Sequence, residues 1–335
     1  MSFEQMSPQT EQGAEQEKEA PMVIKLHAMR HEKRENTGET LPHEVEQGID
    51  PDNRTSLKPE GIKDAIAAGR DDVDWNRTRI MGSPRVRSIM TAALLAAGGR
   101  EEMKNVDVEN LSLKDVEKLI QEMGGNKAAF RIEDKLNFID DKKAPLGMFL
   151  DDAYHAKTYL KTILEDSDRM AVELQSEADS SYSGKAGLTA ELFYRYFQAA
   201  SRLRKMSEGV QRAQAEEHGE ELEQSEADFE RFMGSHQGIL ETFLFKAVEK
   251  TEGVEARDQL LADIGNAGFD TAEGFDITIT EQNGTVTGEL LYTNKRPEAK
   301  RKEVRVTLTQ ELFESIMKDR QDIWDRINEA KGKSE

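Results

Sequence analysis

Hydrophobic positions occur along the chain in short bursts separated by long polar stretches, and the spacing within each burst predicts its element. Met22-Val23-Ile24-Lys25-Leu26 is a brief apolar run of the kind a buried strand requires, and it leads directly into His27-Ala28-Met29-Arg30-His31. From Glu32 to Ser56 the chain is polar and punctuated by Gly38, Pro42, Gly48 and Pro51, the composition of a loop. Lys58 to Arg70 then carries Ile62, Ala65, Ile66 and Gly69 on one helical face, opened by Pro59. Arg79 to Ser83 reads as a strand. From Pro84 a helix follows with Ile89, Ala92, Ala93, Leu95 and Ala96 together, closed by Gly98-Gly99. Phe130-Arg131-Ile132 to Phe138-Ile139 supplies a further extended segment.

Between Gly147 and about Ala227 the period is helical, with Phe193, Tyr194, Phe197 and Leu203 in register, and no strand candidate interrupts it. Phe229 to Ser235 returns to a strand pattern that ends at His236, and Gly238 to Glu249 resumes as a helix. Gly274 to Thr280 and Val286 to Tyr292 alternate apolar and polar residues on either side of Asn283-Gly284, a hairpin signal. Val304 to Leu308 and then Gln310 to Ala330 give a last strand and a closing helix. Strands alternating with helices predict an α/β fold, a three-layer α/β/α arrangement around a mostly parallel sheet. The expected division is a polar tail over 1–21, a core built from 22–146 and 228–335, and an inserted α-helical lid over 147–227.

Composition narrows the functional classes. The 335 residues include 46 basic and 66 acidic side chains, a net charge of −20 that repels nucleic-acid backbones and anionic lipid. Mean hydropathy is −0.73, and no apolar run reaches the length a bilayer-spanning helix needs. The first residues lack the pattern of a secretion signal, so a cytoplasmic protein is expected. Cysteine is absent, which excludes thiol nucleophiles, disulfides and thiolate metal sites. The acidic, Gln-rich stretch Gln211 to Glu226 reads as a solvated helical face or arm.

Candidate chemistry gathers where strands end. Arg30-His31 follows the first strand, Ser83-Pro84-Arg85-Val86-Arg87-Ser88 spans a strand-to-helix junction, and Ser235-His236-Gln237-Gly238 forms another. Open α/β sheets bind ligands at the carboxyl ends of their strands, and helix N-termini favour anions. Three junctions delivering Arg, Arg and His to one sheet edge therefore point to a phosphate-binding site. Metal ligation by His27, His31 and His43 is disfavoured, because His31-Glu32-Lys33-Arg34-Glu35 lacks the second histidine of the helical zinc motif. His27 reads as a strand residue, His155 and His218 as surface imidazoles, and Tyr194, Tyr196 and Phe197 as packing residues.

In these motifs the sequence resembles the histidine phosphatase, or phosphoglycerate mutase-like, superfamily. Leu57-Lys58-Pro59-Glu60-Gly61-Ile62-Lys63-Asp64-Ala65 is similar to its Leu-Thr-x-x-Gly-x-x-x-Ala helix start. Ser83-Pro84-x-x-Arg87-x-x-x-Thr91-Ala92 resembles its Ser-Pro-x-x-Arg segment, and Ser235-His236-x-Gly238 its second-histidine motif. The likeness covers about Val23 to Gly98 and Phe229 to Val248. It implies a phosphatase in which His31 attacks a phosphoryl group to form phosphohistidine, while Arg30, Arg87 and His236 hold the phosphoryl oxygens, with neither metal nor cofactor. The substrate class is a phosphorylated small molecule or a phosphoprotein. Arg34 matches the second phosphate-binding arginine of the acid-phosphatase branch and Asn36 an asparagine of the mutase branch; Gln237, in place of Asp, favours the mutase-like branch.

Two positions depart from the family pattern. Glu32 stands where the family commonly has glycine, which puts a carboxylate beside the phosphate pocket. Where Leu-x-Glu usually supplies the proton donor, this chain has Leu136-Asn137-Phe138. Asp140 is the expected donor, with Asp141 and Glu32 as rivals. These departures favour the competing reading, a non-catalytic member that binds phosphorylated ligands or a protein partner.

Overall fold

The computed structural model describes residues 20–32, 57–125, 130–137, 143–218 and 227–333. Seven strands among these, β1 (Met22–Arg30), β2 (Thr78–Gly82), β3 (Phe130–Ile132), β4 (Ala227–Ser235), β5 (Gly274–Gln282), β6 (Thr285–Thr293) and β7 (Glu303–Leu308), form one sheet in the order β3-β2-β4-β1-β5-β6-β7. The pairs β3–β2, β2–β4 and β4–β1 are parallel, whereas β1–β5, β5–β6 and β6–β7 are antiparallel. The sheet is thus mixed, correcting the expectation of a mostly parallel one.

The reason lies in the strands after β1. In β5 and β7 buried Phe275, Ile277, Ile279, Val304 and Val306 alternate with exposed Asp276, Thr278, Glu303 and Arg305. Strands with one apolar face are those of antiparallel sheets, which tolerate water on the other side. Between β5 and β6, Asn283 and Gly284 both have positive φ, 53° and 80°, the conformation a two-residue hairpin turn demands.

The helices are α1 (Pro59–Ala67), α2 (Val86–Ala97), α3 (Leu113–Glu122), α4 (Pro145–His155), α5 (Tyr159–Glu173), α6 (Tyr182–His218), α7 (Leu240–Glu252), α8 (Val254–Ile264) and α9 (Gln310–Gly332). Consecutive strand residues enter different apolar clusters, as side-chain alternation requires. Ile80 and Phe232 join residues of α1, α2 and α3, while Met81 and Met233 join those of α5, α6, α7 and α9. Within the segment read as a lid, Tyr182, Ala186, Ala190, Phe193 and Phe197 of α6 are buried in the same cluster as Ile277 and Leu290. Tyr194 and Phe197 stack around Phe313 of α9, so both are packing residues. The backbone of α6 is helical to His218, and its side chains from Gln211 onward lie outside the described residues, as do residues 1–19 of the tail and 33–56 of the loop.

His27, at the middle of β1, is held between Asp276 at 2.7 Å and Glu230 at 2.8 Å, and Glu230 also binds Arg70 at 2.5 Å. Burial alone would lower the imidazole pKa, but the hydrogen bonds and charges of Asp276 and Glu230 outweigh it and raise the value to about 9. A raised value means the folded state holds the proton more tightly than the unfolded chain. The contribution is therefore complete below about pH 6.5 and is lost as pH rises through about 9; a shift of this size corresponds to roughly 3 kcal/mol. Urea unfolding at pH 6 and pH 9 is expected to show that loss in the wild type and a markedly smaller one in His27→Gln. An equal loss in both would assign the pH dependence to other groups.

Candidate active site

The site forms where β1, β2 and β4 end. The His31 amide donates to the Ser235 carbonyl at 3.0 Å, continuing the parallel ladder one residue beyond β1 and setting the residues that follow the two strands side by side. His31 is 7% exposed and His236 fully buried, and their ring centres lie 5.2 Å apart at an interplanar angle of 65°. His31 Nδ1 is 2.7 Å from the backbone carbonyl of Glu32, an oxygen that can only accept. In the neutral ring the proton thus sits on Nδ1 and the basic lone pair on Nε2.

The N-terminus of α2 reaches these histidines because of a glycine. A Cβ on Gly234, next to the end of β4, would lie 1.9 Å from the Ser88 carbonyl oxygen, so only glycine lets the first turn of α2 approach so closely. That approach brings Ser83 Oγ to 2.6 Å from His236 Nε2 and buries Arg87, 3% exposed, in the first turn. Ser83 is itself fixed by its amide, which donates to Ser88 Oγ at 3.1 Å. Thr91 Oγ1 donates to the Arg87 carbonyl at 2.8 Å and accepts from the Glu32 amide at 3.0 Å, tying α2 to the chain just after His31. Glu32 is 3% exposed, and its backbone orients both His31 and Thr91.

Arg30 is engaged differently. Its guanidinium donates to the carbonyls of Phe269 and Ala267, and Gln237 Nε2 donates to the same Ala267 oxygen at 2.8 Å. Beside it, the buried Glu241 carboxylate accepts from the amides of Gly238 at 2.8 Å and Phe269 at 3.1 Å. Burial pushes the Glu241 carboxyl pKa up, against the opposing pull of the Arg30 charge and those amides. Arg30 and Glu241 together brace the 267–269 loop against the second-histidine motif.

Arg34, Asn36, His43, Asp140 and Asp141 lie outside the described residues. A carboxylate that the sequence reading passed over stands at the end of β3: the Glu133 amide donates to the Gly82 carbonyl at 2.8 Å, one residue before Ser83, and its side chain is 8% exposed and paired with Arg195 at 3.0 Å. Its position directly after Phe130-Arg131-Ile132 was the available signal. The Leu136 segment does come to the site, since Leu136 O accepts from Ser235 Oγ at 2.8 Å. His155 is exposed and bonded to the Asp151 carbonyl. Among the described residues no group of three or more acidic or imidazole side chains is arranged to hold a metal ion. Compared with known proteins, the chain matches no family model and no curated protein.

Proposed function

We propose that the protein is a metal-independent phosphatase of histidine phosphatase type, hydrolysing a phosphomonoester through a phosphohistidine at His31. The observation that carries the reading is the pairing of His31 and His236 at the ends of adjacent parallel strands, with His236 bonded to Ser83 at the junction that leads into the α2 turn carrying buried Arg87. In the first step His31 Nε2 bonds to phosphorus as the ester P–O bond breaks and the leaving oxygen takes a proton from a carboxyl group. In the second, water attacks phosphorus as the P–Nε2 bond breaks, losing a proton to that carboxylate, so that inorganic phosphate leaves and His31 is regenerated. Arg87, His236 and Arg30 neutralise the three phosphoryl oxygens; a buried Arg30 Nε–H without an acceptor among the described residues fits such a ligand. The substrate is a phosphorylated small molecule or phosphoprotein in the cytoplasm. The parallel half of the sheet forms the three-layer core, with 147–227 as the helical cover that shapes the substrate side.

One set of observations favours a second reading, a binding protein without turnover: Glu32 is buried beside His31, and Arg30 is held by loop carbonyls. Hydrolysis of p-nitrophenyl phosphate, unchanged by chelator, is the expected result for the phosphatase. Vanadate binding without hydrolysis would establish the second reading instead.

The proton donor is Asp140, with Glu133 as the rival added by its place beside Gly82. General-acid help is typically about 10²–10⁴-fold and matters most for poor leaving groups. Asp140→Asn is expected to slow an alkyl phosphate by that range while sparing p-nitrophenyl phosphate. The same selective loss in Glu133→Gln would move the assignment to Glu133.

A further inference from the structure

On the face of β2, β3 and β4 that α6 covers lies a cavity of about 390 Å³ whose lining includes Arg79, Arg131, Arg195 and Arg231, with Tyr196 and Met81. None of His31, Ser83, Arg87 and His236 lines it; Glu133, whose amide is anchored to Gly82, stands in its wall and is shared with the neighbourhood of the phosphoryl pocket. Arg79 stands directly opposite Arg231 across the β2–β4 pair, and Arg131 opposite Met81 across β3–β2, so three guanidinium groups share one face of the sheet. Like charges facing each other across strands are destabilising unless something neutralises them.

The described residues supply little neutralisation. Arg195 pairs with Glu133 at 3.0 Å. Arg79 donates to the Thr78 carbonyl at 2.7 Å, and Arg231 to those of Glu230 at 2.7 Å and Arg77 at 3.0 Å, contacts that fix the forks without cancelling their charge. Among the described residues no carboxylate forms an ion pair with Arg79, Arg131 or Arg231. Burial pushes the Arg231 guanidinium pKa down, the neighbouring Tyr196 opposes that shift, and the charge of Arg79 adds to it. Such a concentration of positive charge is notable in a chain of net charge −20.

The volume, roughly a dozen waters' worth, falls within the range of small-molecule sites. Guanidinium forks match phosphoryl oxygens in pairs. Three uncompensated cations require a ligand with more charge than a single phosphate carries. We propose that Arg79, Arg131, Arg195 and Arg231 form a second site, separate from the phosphoryl pocket at His31, that binds a compact soluble polyanion bearing at least two phosphoryl groups.

Calorimetric titration of the full chain with inorganic tripolyphosphate tests the assignment. Saturable binding is expected to weaken about ten-fold or more in Arg131→Gln, and again when Arg79→Gln is added, while persisting in His31→Ala and Arg87→Ala. Arg131 is exposed, so its replacement leaves the fold intact. No saturation at millimolar probe would overturn the proposal. So would binding lost in Arg87→Ala but unaffected by Arg131→Gln, which would put the probe in the phosphoryl pocket. Citrate binding as tightly as tripolyphosphate would overturn the phosphoryl assignment.

Discussion

Replacing His31 with alanine is expected to lower p-nitrophenyl phosphate turnover on the order of 10⁴- to 10⁶-fold, the range seen when a covalent nucleophile or its activating partners are removed. The Glu32 carbonyl accepts a hydrogen bond from Nδ1–H, which under the proposed mechanism leaves Nε2 as the atom that would bond to phosphorus. Wild-type protein quenched into base during turnover is expected to carry acid-labile, base-stable phosphate, and His31→Ala none. His236→Ala removes a group assigned by the proposal to the phosphoryl oxygens while leaving His31, so it should turn over more slowly yet still label. Labelling or turnover retained in His31→Ala would overturn the proposed chemistry.

Gly234→Ala is expected to destabilise the fold by about 3 kcal/mol and to remove most activity at the same time. The added carbon would meet the Ser88 carbonyl oxygen at 1.9 Å and its carbon at 2.6 Å, both backbone atoms that no rotamer change can move. Relief requires α2 to back away from β4, withdrawing Ser83 from His236 and Arg87 from the phosphoryl position. Gly209→Ala in α6 is the matched control: nothing lies within 4 Å of its Cβ, and alanine is the better helix former by about 1 kcal/mol. Urea unfolding and p-nitrophenyl phosphate turnover of both variants check the contrast. Unchanged stability in Gly234→Ala would mean that the helix N-terminus is not held as described.

What could be read from the sequence was what is local. The short apolar runs of β1, β2 and β4 and the Asn283-Gly284 turn announce themselves within a few residues. The direction in which β5 joins β1 does not, because partner choice is decided between segments 250 residues apart; the alternation of Asp276 and Thr278 with Ile277 and Ile279 was the trace of it. α3 escaped notice although Ser112 and Asp115 form a reciprocal cap at its start. At the site, motif spacing brought out His31, Ser83, Arg87 and His236, whose environments follow from strand ends. It gave no sign that Arg30 would be engaged by the Ala267 and Phe269 carbonyls, or that Glu133 would be anchored to Gly82, since neither contact leaves a periodic mark.

The position of β1 in the sheet has a consequence for how the chain is made. Both neighbours of this strand come from the last third of the sequence: Met22 pairs with Ala227 on one side and Glu281 on the other. At a synthesis rate of about 5–20 residues per second, β1 waits roughly 10–40 s after emerging from the ribosome before β4 exists. Throughout that interval Met22, Ile24 and Leu26 have no sheet to enter, and both strand edges offer unmatched amides and carbonyls to any other nascent copy. Closure of the sheet around β1, and with it the meeting of His31 and His236, accordingly cannot precede the synthesis of β4 and β5, so the two histidines come together late and by long-range pairing.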